Sequence, residues 1–277
     1  MSPVVLITGT SSGIGLATAV QAAQAGYRVV ATMRDTAKDG RLKEAASEAG
    51  VEVDVRRLDV TDAASVRAAV DGVIADYGQL DAVVNNAGAG HVGTVETDDV
   101  ANFRSVMEVN FFGVVELTKA ALPHLRASSG RLVTVTSVGG VVGQPFNEAY
   151  CAAKFAVEGM MESLAPVAAA QGVTVTVVEP GAVASEFVNN VQIDRGAIFE
   201  QMGVYAGSFK NYMGRTGDSF AAAQTSDEAA RTVVEALTAQ NPAFRVQTSE
   251  WAREFTGRKL ADNDGSAVQE LTRGWIA

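Results

Sequence analysis

The chain has 277 residues, 47% of them apolar, enough for one large domain with a sizeable core. Its net charge of −10 excludes a nucleic-acid surface, which needs a basic stripe to displace counterions. Cys151 is the single cysteine, so an intramolecular disulfide and a CxxC metal site are excluded, and no bound metal is expected.

Apolar runs all stop well short of the ~20 residues that a membrane span requires. The first residues lack a basic segment followed by a long apolar stretch, so no secretory signal is expected. A reducing compartment suits the lone cysteine, and the expected location is cytoplasmic.

Short β-rich runs alternate with longer helical patterns, the signature of βαβ units and a parallel sheet. Strands are predicted at Val4–Ile7, Arg28–Thr32, Glu52–Leu58, Ala82–Val84, Arg131–Thr136, Thr174–Val178 and Phe244–Gln247. Most are apolar at consecutive positions, as strands covered by helices on both faces must be. The third alternates Val51, Val53 and Val55 with charged residues, which places it nearer an edge. Helices are predicted between the strands, among them Gly15–Ala25, Ala63–Tyr77, Val100–Leu122 and Tyr150–Gln171.

The expected fold class is therefore α/β, a Rossmann-type doubly wound sheet of seven mostly parallel strands flanked by helices. One domain covers 1–277: residues 1–180 bind cofactor and carry the chemistry, and residues 181–277 supply a lid, the last strand and a tail. From Glu186 to Thr225 the chain is polar, carries aromatics and has no strand signal. Met202, Tyr205, Phe209 and Tyr212 fall near helical spacing there and make one apolar stripe. Such a segment follows a late strand and sits over the carboxyl ends, where ligands bind. A small helical substrate lid is one reading of the stripe; a helix packing on its own core or on a second subunit is the other.

Thr8-Gly9-Thr10-Ser11-Ser12-Gly13-Ile14-Gly15 follows the first strand and opens the first helix. Gly9 permits the tight turn, Gly13 lets the backbone approach a pyrophosphate, and Gly15 allows helix and strand to pack closely. A phosphate at that helix N-terminus meets free N–H groups and the positive end of the dipole. The spacing is GxxxGxG and lacks the lysine of a P-loop, which disfavours ATP or GTP hydrolysis. At the end of the second strand Met33 stands where an NAD enzyme would carry an acid, and Arg34 follows. A guanidinium there can pair with a 2′-phosphate, with Ser11 adding a hydroxyl, so NADP(H) is favoured over NAD(H). Asp35 is the competing reading, because a one-residue shift of the strand end would exchange the two.

Tyr150 and Lys154 are four apart in a helical segment and share one face. A phenol loses its proton near pH 10, so a base poised near neutrality needs roughly 4 kcal/mol of extra phenolate stabilisation. Lys154 and a positively charged nicotinamide are the candidates to provide it. Ser137 ends the fifth strand, where its hydroxyl can bond a carbonyl or alcohol oxygen and orient it for hydride transfer.

With TGxxxGxG and YxxxK, and with Asp59-Val60, Asn85-Asn86-Ala87-Gly88, Ser137 and Pro180-Gly181, the chain resembles the short-chain dehydrogenase/reductase family. Within it the likeness is to members that oxidise or reduce hydroxysteroids and retinol. It runs through Pro145-Phe146-Asn147, Tyr150–Ala156, Glu162–Ala165 and Phe244-Arg245. The resemblance implies that Asp59 and Val60 flank the adenine and that Asn86, Ala87 and Gly88 line the cofactor. It also implies that Ser12 and Ile14 complete the phosphate loop, that Pro180 and Gly181 border the nicotinamide, and that Val183 contacts the carboxamide. Asn110 would stabilise a kinked helix and hold a water against Lys154, completing a catalytic set Asn110–Ser137–Tyr150–Lys154. Ser185 stands where the family often has Thr. The resemblance further implies a homodimer or homotetramer paired through the helices containing Val100–Leu122 and Tyr150–Gln171.

The expected function is NADP(H)-dependent interconversion of an alcohol and its carbonyl on a lipophilic, steroid- or retinoid-like substrate. A catalytically silent NADP-binding regulator and a reductase of small non-steroid ketones are the alternatives. An epimerase or dehydratase of the wider group would show a shifted glycine pattern and a longer C-terminal part. His91, Phe187, Tyr205 and Phe209 are the candidate substrate contacts. The oestrogen-specific relatives carry a histidine in their C-terminal lobe, and here the only histidines are His91 and His124. His124, after Pro123, is expected on the surface at a helix end, and Cys151 is expected to be small buried filler.

Overall fold

A computed structural model of the chain describes residues 2–186, 195–221, 223–261 and 266–275. Among the described residues the strands are β1 Val4–Thr8, β2 Arg28–Met33, β3 Asp54–Arg57, β4 Ala82–Asn85, β5 Arg131–Val135, β6 Thr174–Glu179, β7 Val183–Ala184, β8 Gln224–Thr225 and β9 Arg245–Gln247. The described helices of the first two-thirds are α1 Gly13–Gln24, α2 Gly40–Glu48, α3 Ala63–Tyr77, α4 Val100–Met107, α5 Gly113–Ser128 and α6 Glu148–Ala169. The remainder are α7 Arg195–Met202, α8 Ala206–Ala221, α9 Ser226–Thr238, α10 Glu250–Leu260 and α11 Ser266–Arg273.

Seven strands form one parallel sheet in the order β3-β2-β1-β4-β5-β6-β9. The order reverses between β1 and β4, so the carboxyl ends of these two strands splay their loops apart and leave a crevice. β3 pairs only with β2 and is half-exposed, the edge position its alternating charges require.

Strand alternation divides the core into two layers. Val4 and Leu6 face Val66 of α3, Leu117 of α5 and Met161 of α6. Val5 and Ile7 face Ala19 and Ala22 of α1 and Val233 and Leu237 of α9. Each such large side chain, withdrawn from water, contributes about 1.5–3 kcal/mol.

The segment predicted as one helix over Val100–Leu122 is α4, a π-helical turn over Glu108–Phe112, and α5. The turn bears Asn110, where the resemblance implied a kinked helix. α5 runs on through Pro123 to Ser128, past the expected stop. Ala121 and Leu125, fully buried on either side of the proline, hold the helix in place against a cost of ~3 kcal/mol. His124 is therefore inside a helix, half-buried, and not at a helix end.

Candidate active site

β1 delivers the chain into the glycine loop at the crevice. Gly9 and Gly13 adopt φ of +71° and +61°, the left-handed region that favours glycine. A Cβ on Gly9 would lie 2.8 Å from the Ala87 Cα, and one on Gly15 would press into the Gly9 carbonyl group. The loop is braced from β4: the Asn86 side-chain amide donates to the Thr8 and Gly9 carbonyls at 2.9 and 3.2 Å. Thr8 Oγ1 accepts from the Asn86 and Ala87 backbone N–H groups, both at 3.0 Å. Asn86 thus uses its side chain as a loop brace while also bordering the cleft. α1 starts with no acid in its first turn, which leaves its N-terminal donors for an anion.

One cleft of about 680 Å³ runs from this loop to Tyr150, a volume suited to a cofactor and part of a substrate. Gly9, Ser11, Ser12, Gly13, Ile14, Gly15, Arg34, Asp59, Val60, Asn86, Ala87, Gly88, Tyr150, Lys154, Pro180, Gly181 and Val183 all line it. Ser137 and Ser185 do so as well. Where β2 ends, Met33 is buried and Arg34 is exposed at the cleft edge. The Asp35 carboxylate is engaged elsewhere, accepting from the Ala37 N–H at 3.1 Å as the cap of a short turn. Burial pushes the Asp59 carboxyl up, but hydrogen bonds from Thr61 and the charges of Arg34 and Arg57 hold it below the usual range.

At the other end Tyr150 and Lys154 leave α6 one turn apart. Burial pushes the Tyr150 phenol up to about 12, against a hydrogen bond with Ser137 that lowers it. Burial pulls the Lys154 ammonium down to about 8, against the raising charge of Glu158. Lys154 Nζ donates to the Val135 carbonyl at 3.2 Å and stands 5.8 Å from the centre of the Tyr150 ring. The ammonium is thus shared with the β5 backbone, and at the Tyr150 phenol burial outweighs the Ser137 hydrogen bond. Ser137 accepts from the Gly139 N–H at 3.0 Å, which orients its hydroxyl beside Tyr150.

Asn110 does not border the cleft; it is fully buried behind it. Its amide donates to the Val106 and Ala89 carbonyls at 3.0 and 2.9 Å, and its Oδ1 accepts from the Ala89 N–H. Gly88 separates it from Lys154: a Cβ there would lie 2.8 Å from Asn110 Oδ1 and 3.6 Å from Lys154 Nζ.

The candidate substrate contacts fare differently. His91 pairs with Asp98 and pins the loop after β4. Tyr205 donates to Glu96. Phe209 is fully buried with Phe146, Ile198, Met202 and Tyr212, so the apolar stripe is mainly the lid's own core. None of the three lines the cleft, because His91 and Tyr205 are engaged by acids of the loop after β4 and Phe209 by the buried cluster. Phe187 lies outside the described residues. Tyr212 does line the cleft and bonds Asn147, just before Tyr150. Gln144, Arg215, Thr216, Ser219, Phe220, Trp251 and Trp275 line it too and were missed. Their one sequence signal was proximity to α6 or to the stripe; Trp251 and Trp275 carried none. Gly181 reveals its own reason here, since a Cβ would lie 3.1 Å from the Trp251 ring. Cys151 is buried, its thiol pushed up to about 11 by burial, and acts as core filler.

A doubly wound sheet with a glycine loop at its switch point and a Ser–Tyr–Lys group in the same cleft is the architecture of a nicotinamide-dependent oxidoreductase. The chain belongs to the short-chain dehydrogenase/reductase family, whose "short chain dehydrogenase" profile matches residues 3–196. Bovine (Bos taurus) retinol dehydrogenase 8 is 37% identical over 95% of this chain and 86% of its own length. Human (Homo sapiens) 17-beta-hydroxysteroid dehydrogenase type 1 is 38% identical over 95% of this chain and 82% of its own. The crystal structure of a short-chain dehydrogenase from Streptomyces avermitilis superposes with a TM-score of 0.78 at 30% identity, covering 99% of this chain and 98% of that one.

Proposed function

We propose that the protein is an NADP(H)-dependent oxidoreductase that interconverts an alcohol and its carbonyl on a lipophilic substrate, with Tyr150 as general acid and base. The observation that carries this reading is the placement of Ser137, Tyr150 and Lys154 in the cleft that begins at the glycine loop. The residues present fit the cofactor: the α1 N-terminus and Gly13 would take the pyrophosphate, Asp59 and Val60 the adenine, and Val183 the carboxamide. When bound, the nicotinamide donates or accepts the hydride.

This chain's residues handle the proton. In reduction the Tyr150 phenol, neutral at working pH, donates its proton to the carbonyl oxygen; in oxidation it takes that proton back. The Ser137 hydroxyl bonds the same oxygen and fixes its distance from Tyr150. Lys154 provides positive charge beside the phenolate as it forms, and its location between Tyr150 and the Val135 carbonyl keeps that charge in place. Asn110 acts through the Gly88–Ala89 segment that it ties to the π-turn.

Arg34 supports NADP(H) over NAD(H), because it is exposed at the cleft edge while Asp35 is occupied as a cap. The aromatic walls Tyr212, Phe220, Trp251 and Trp275 support a lipophilic substrate, as do relatives named for retinol and for 17-beta-hydroxysteroids. Exposed Phe112 and Phe155, on the helices expected to pair, support a homodimer or homotetramer. The buried, reduced Cys151 suits the cytoplasm; among the described residues no helix is long and apolar enough to cross a membrane.

The test is transfer of deuteride from deuterated NADPH to a panel of retinoid, steroid and simpler ketones and aldehydes. Label should appear on the carbinol carbon of at least one product, and NADPH should outperform NADH. Arg34→Asp should reverse that preference by about tenfold or more, the size of a charge-assisted pair. Absence of transfer to every carbonyl tested would establish a binding protein instead.

A further inference from the structure

We propose that the far end of the substrate cleft is an anion subsite, built on α8 and the C-terminal segment, and that the substrate carries a carboxylate there. The proposal rests on the oxidoreductase reading above and narrows its substrate to an apolar ketone or alcohol with an acidic tail.

An open cleft of about 710 Å³ adjoins the catalytic one and shares Arg215, Ser219 and Trp275 with it. Lys210 and Asn211 complete its polar lining. Lys210 and Arg215 bring two cations to it, and among the described residues no carboxylate lines this cleft. In the catalytic cleft the described acids, Asp35 and Asp59, stand at the cofactor end, beside Arg34. Cationic walls in an acidic protein focus an anion locally even when the whole molecule repels it.

Arg215 is held in position by an aromatic ring. Its guanidinium stacks over the Trp275 ring, 4.5 Å from the centre, and no ion pair to Arg215 or Lys210 occurs among the described residues. Stacking orients the planar fork while leaving its edge N–H groups for a bidentate oxyanion. Trp275 is 7% exposed, and its indole N–H has no acceptor among the described residues. A buried donor left without an acceptor is costly, which argues for a ligand at this wall.

α8 acts as a ruler between the two ends. Tyr212 bonds Asn147 beside the catalytic helix, while Ser219 lies two turns on, roughly 10 Å along the axis. Arg215 stands between them, three residues or roughly 4.5 Å from Tyr212, so a carboxylate on an apolar tail would meet it with the substrate carbonyl near Tyr150.

The test compares oxodecanoate, its carbonyl at the penultimate carbon, with its methyl ester as substrates of the NADPH-loaded protein. Wild type should favour the acid in kcat/KM by about tenfold or more, and added salt should erode that preference. In Arg215→Gln the acid-to-ester ratio should fall to about one, and Arg215→Lys should restore part of it. An unchanged ratio in Arg215→Gln would overturn the subsite. Turnover of neither compound would count against the oxidoreductase reading and is read separately, by calorimetric binding of decanoate and decanol. Decanoate should then bind wild type about tenfold more tightly than Arg215→Gln. Equal affinity in both proteins, or decanol binding as tightly as decanoate, would likewise refute the anion subsite.

Discussion

The two ends of the cleft are held together by different kinds of contact. At the glycine loop, backbone meets backbone: Gly15 packs against the Gly9 carbonyl, and Asn86 locks Thr8 and Gly9 with amide hydrogen bonds. At the lid, side chain meets side chain: the Phe146 ring meets those of Phe209 and Tyr212 at 5.2 and 5.4 Å, and Met202 fills the space beside them. The first arrangement tolerates no added atom, whereas the second accepts any apolar group of similar volume. A molecule built this way fixes the glycine loop while the core between α6, α7 and α8 is open to other apolar packings.

The largest expected effect comes from breaking the rigid end. Gly15→Ala forces a Cβ against the Gly9 carbonyl carbon at 2.9 Å, where only backbone can yield. NADPH affinity should drop about a hundredfold or more, measured by fluorescence titration, with stability lowered by roughly 1–3 kcal/mol. Gly40→Ala is the control: nothing lies within 4 Å of the added carbon, so NADPH affinity should not move and stability should not fall.

Breaking the lid should separate substrate from cofactor. Phe209→Ala empties the centre of the lid cluster, a local loss of about 3–5 kcal/mol. KM for the carbonyl substrate should rise about tenfold while NADPH affinity stays within about twofold. Equal losses in both would show that the lid and the glycine loop form one cooperative unit.

A smaller effect sharpens the comparison through pH. Behind Lys154, Glu158 is buried, bonded to Thr136 and paired with Arg245 at 3.2 Å, and its charge raises the lysine. Lys154 is depressed to about 8 from 10.5, so the folded chain releases this proton earlier than the unfolded one. Its contribution to stability therefore rises with pH between those values and is lost as pH falls through about 8. Glu158→Gln removes a raising charge and should push the ammonium lower still. The alkaline limb of kcat should move to lower pH, with activity near pH 8–9 reduced about two- to threefold. A uniform loss at all pH values would indicate packing damage only.

The same contrast governs how much was legible in the sequence. The seven strands of the main sheet, the edge position of β3 and the glycine-loop side of the cleft were readable, because glycine spacing and strand ends leave fixed marks where backbone geometry is demanding. The kink at Asn110 was read through resemblance, and its side chain proved to brace Ala89 behind the cleft. Pro123 misled the end of α5, since local propensity was outweighed by the burial of Ala121 and Leu125. Phe209 and Tyr205 were placed on the right segment but given the wrong neighbours. Helical spacing gives one stripe, and it does not say whether the stripe faces a ligand, a core or an acid such as Glu96. His91 was similarly claimed by Asp98. Trp275 reaches the cleft from the C-terminal segment through tertiary folding that no local pattern encodes.

The central claim is that Tyr150 moves the proton in a cleft whose cofactor end is independent of it. Tyr150→Phe removes one oxygen from that site and leaves the glycine loop untouched. NADPH binding and single-turnover reduction should be measured together on the same preparation. The account predicts unchanged cofactor affinity with the reduction rate lowered by roughly 10²–10⁴-fold, the usual worth of a positioned general acid. Reduction at the wild-type rate in that variant would contradict it.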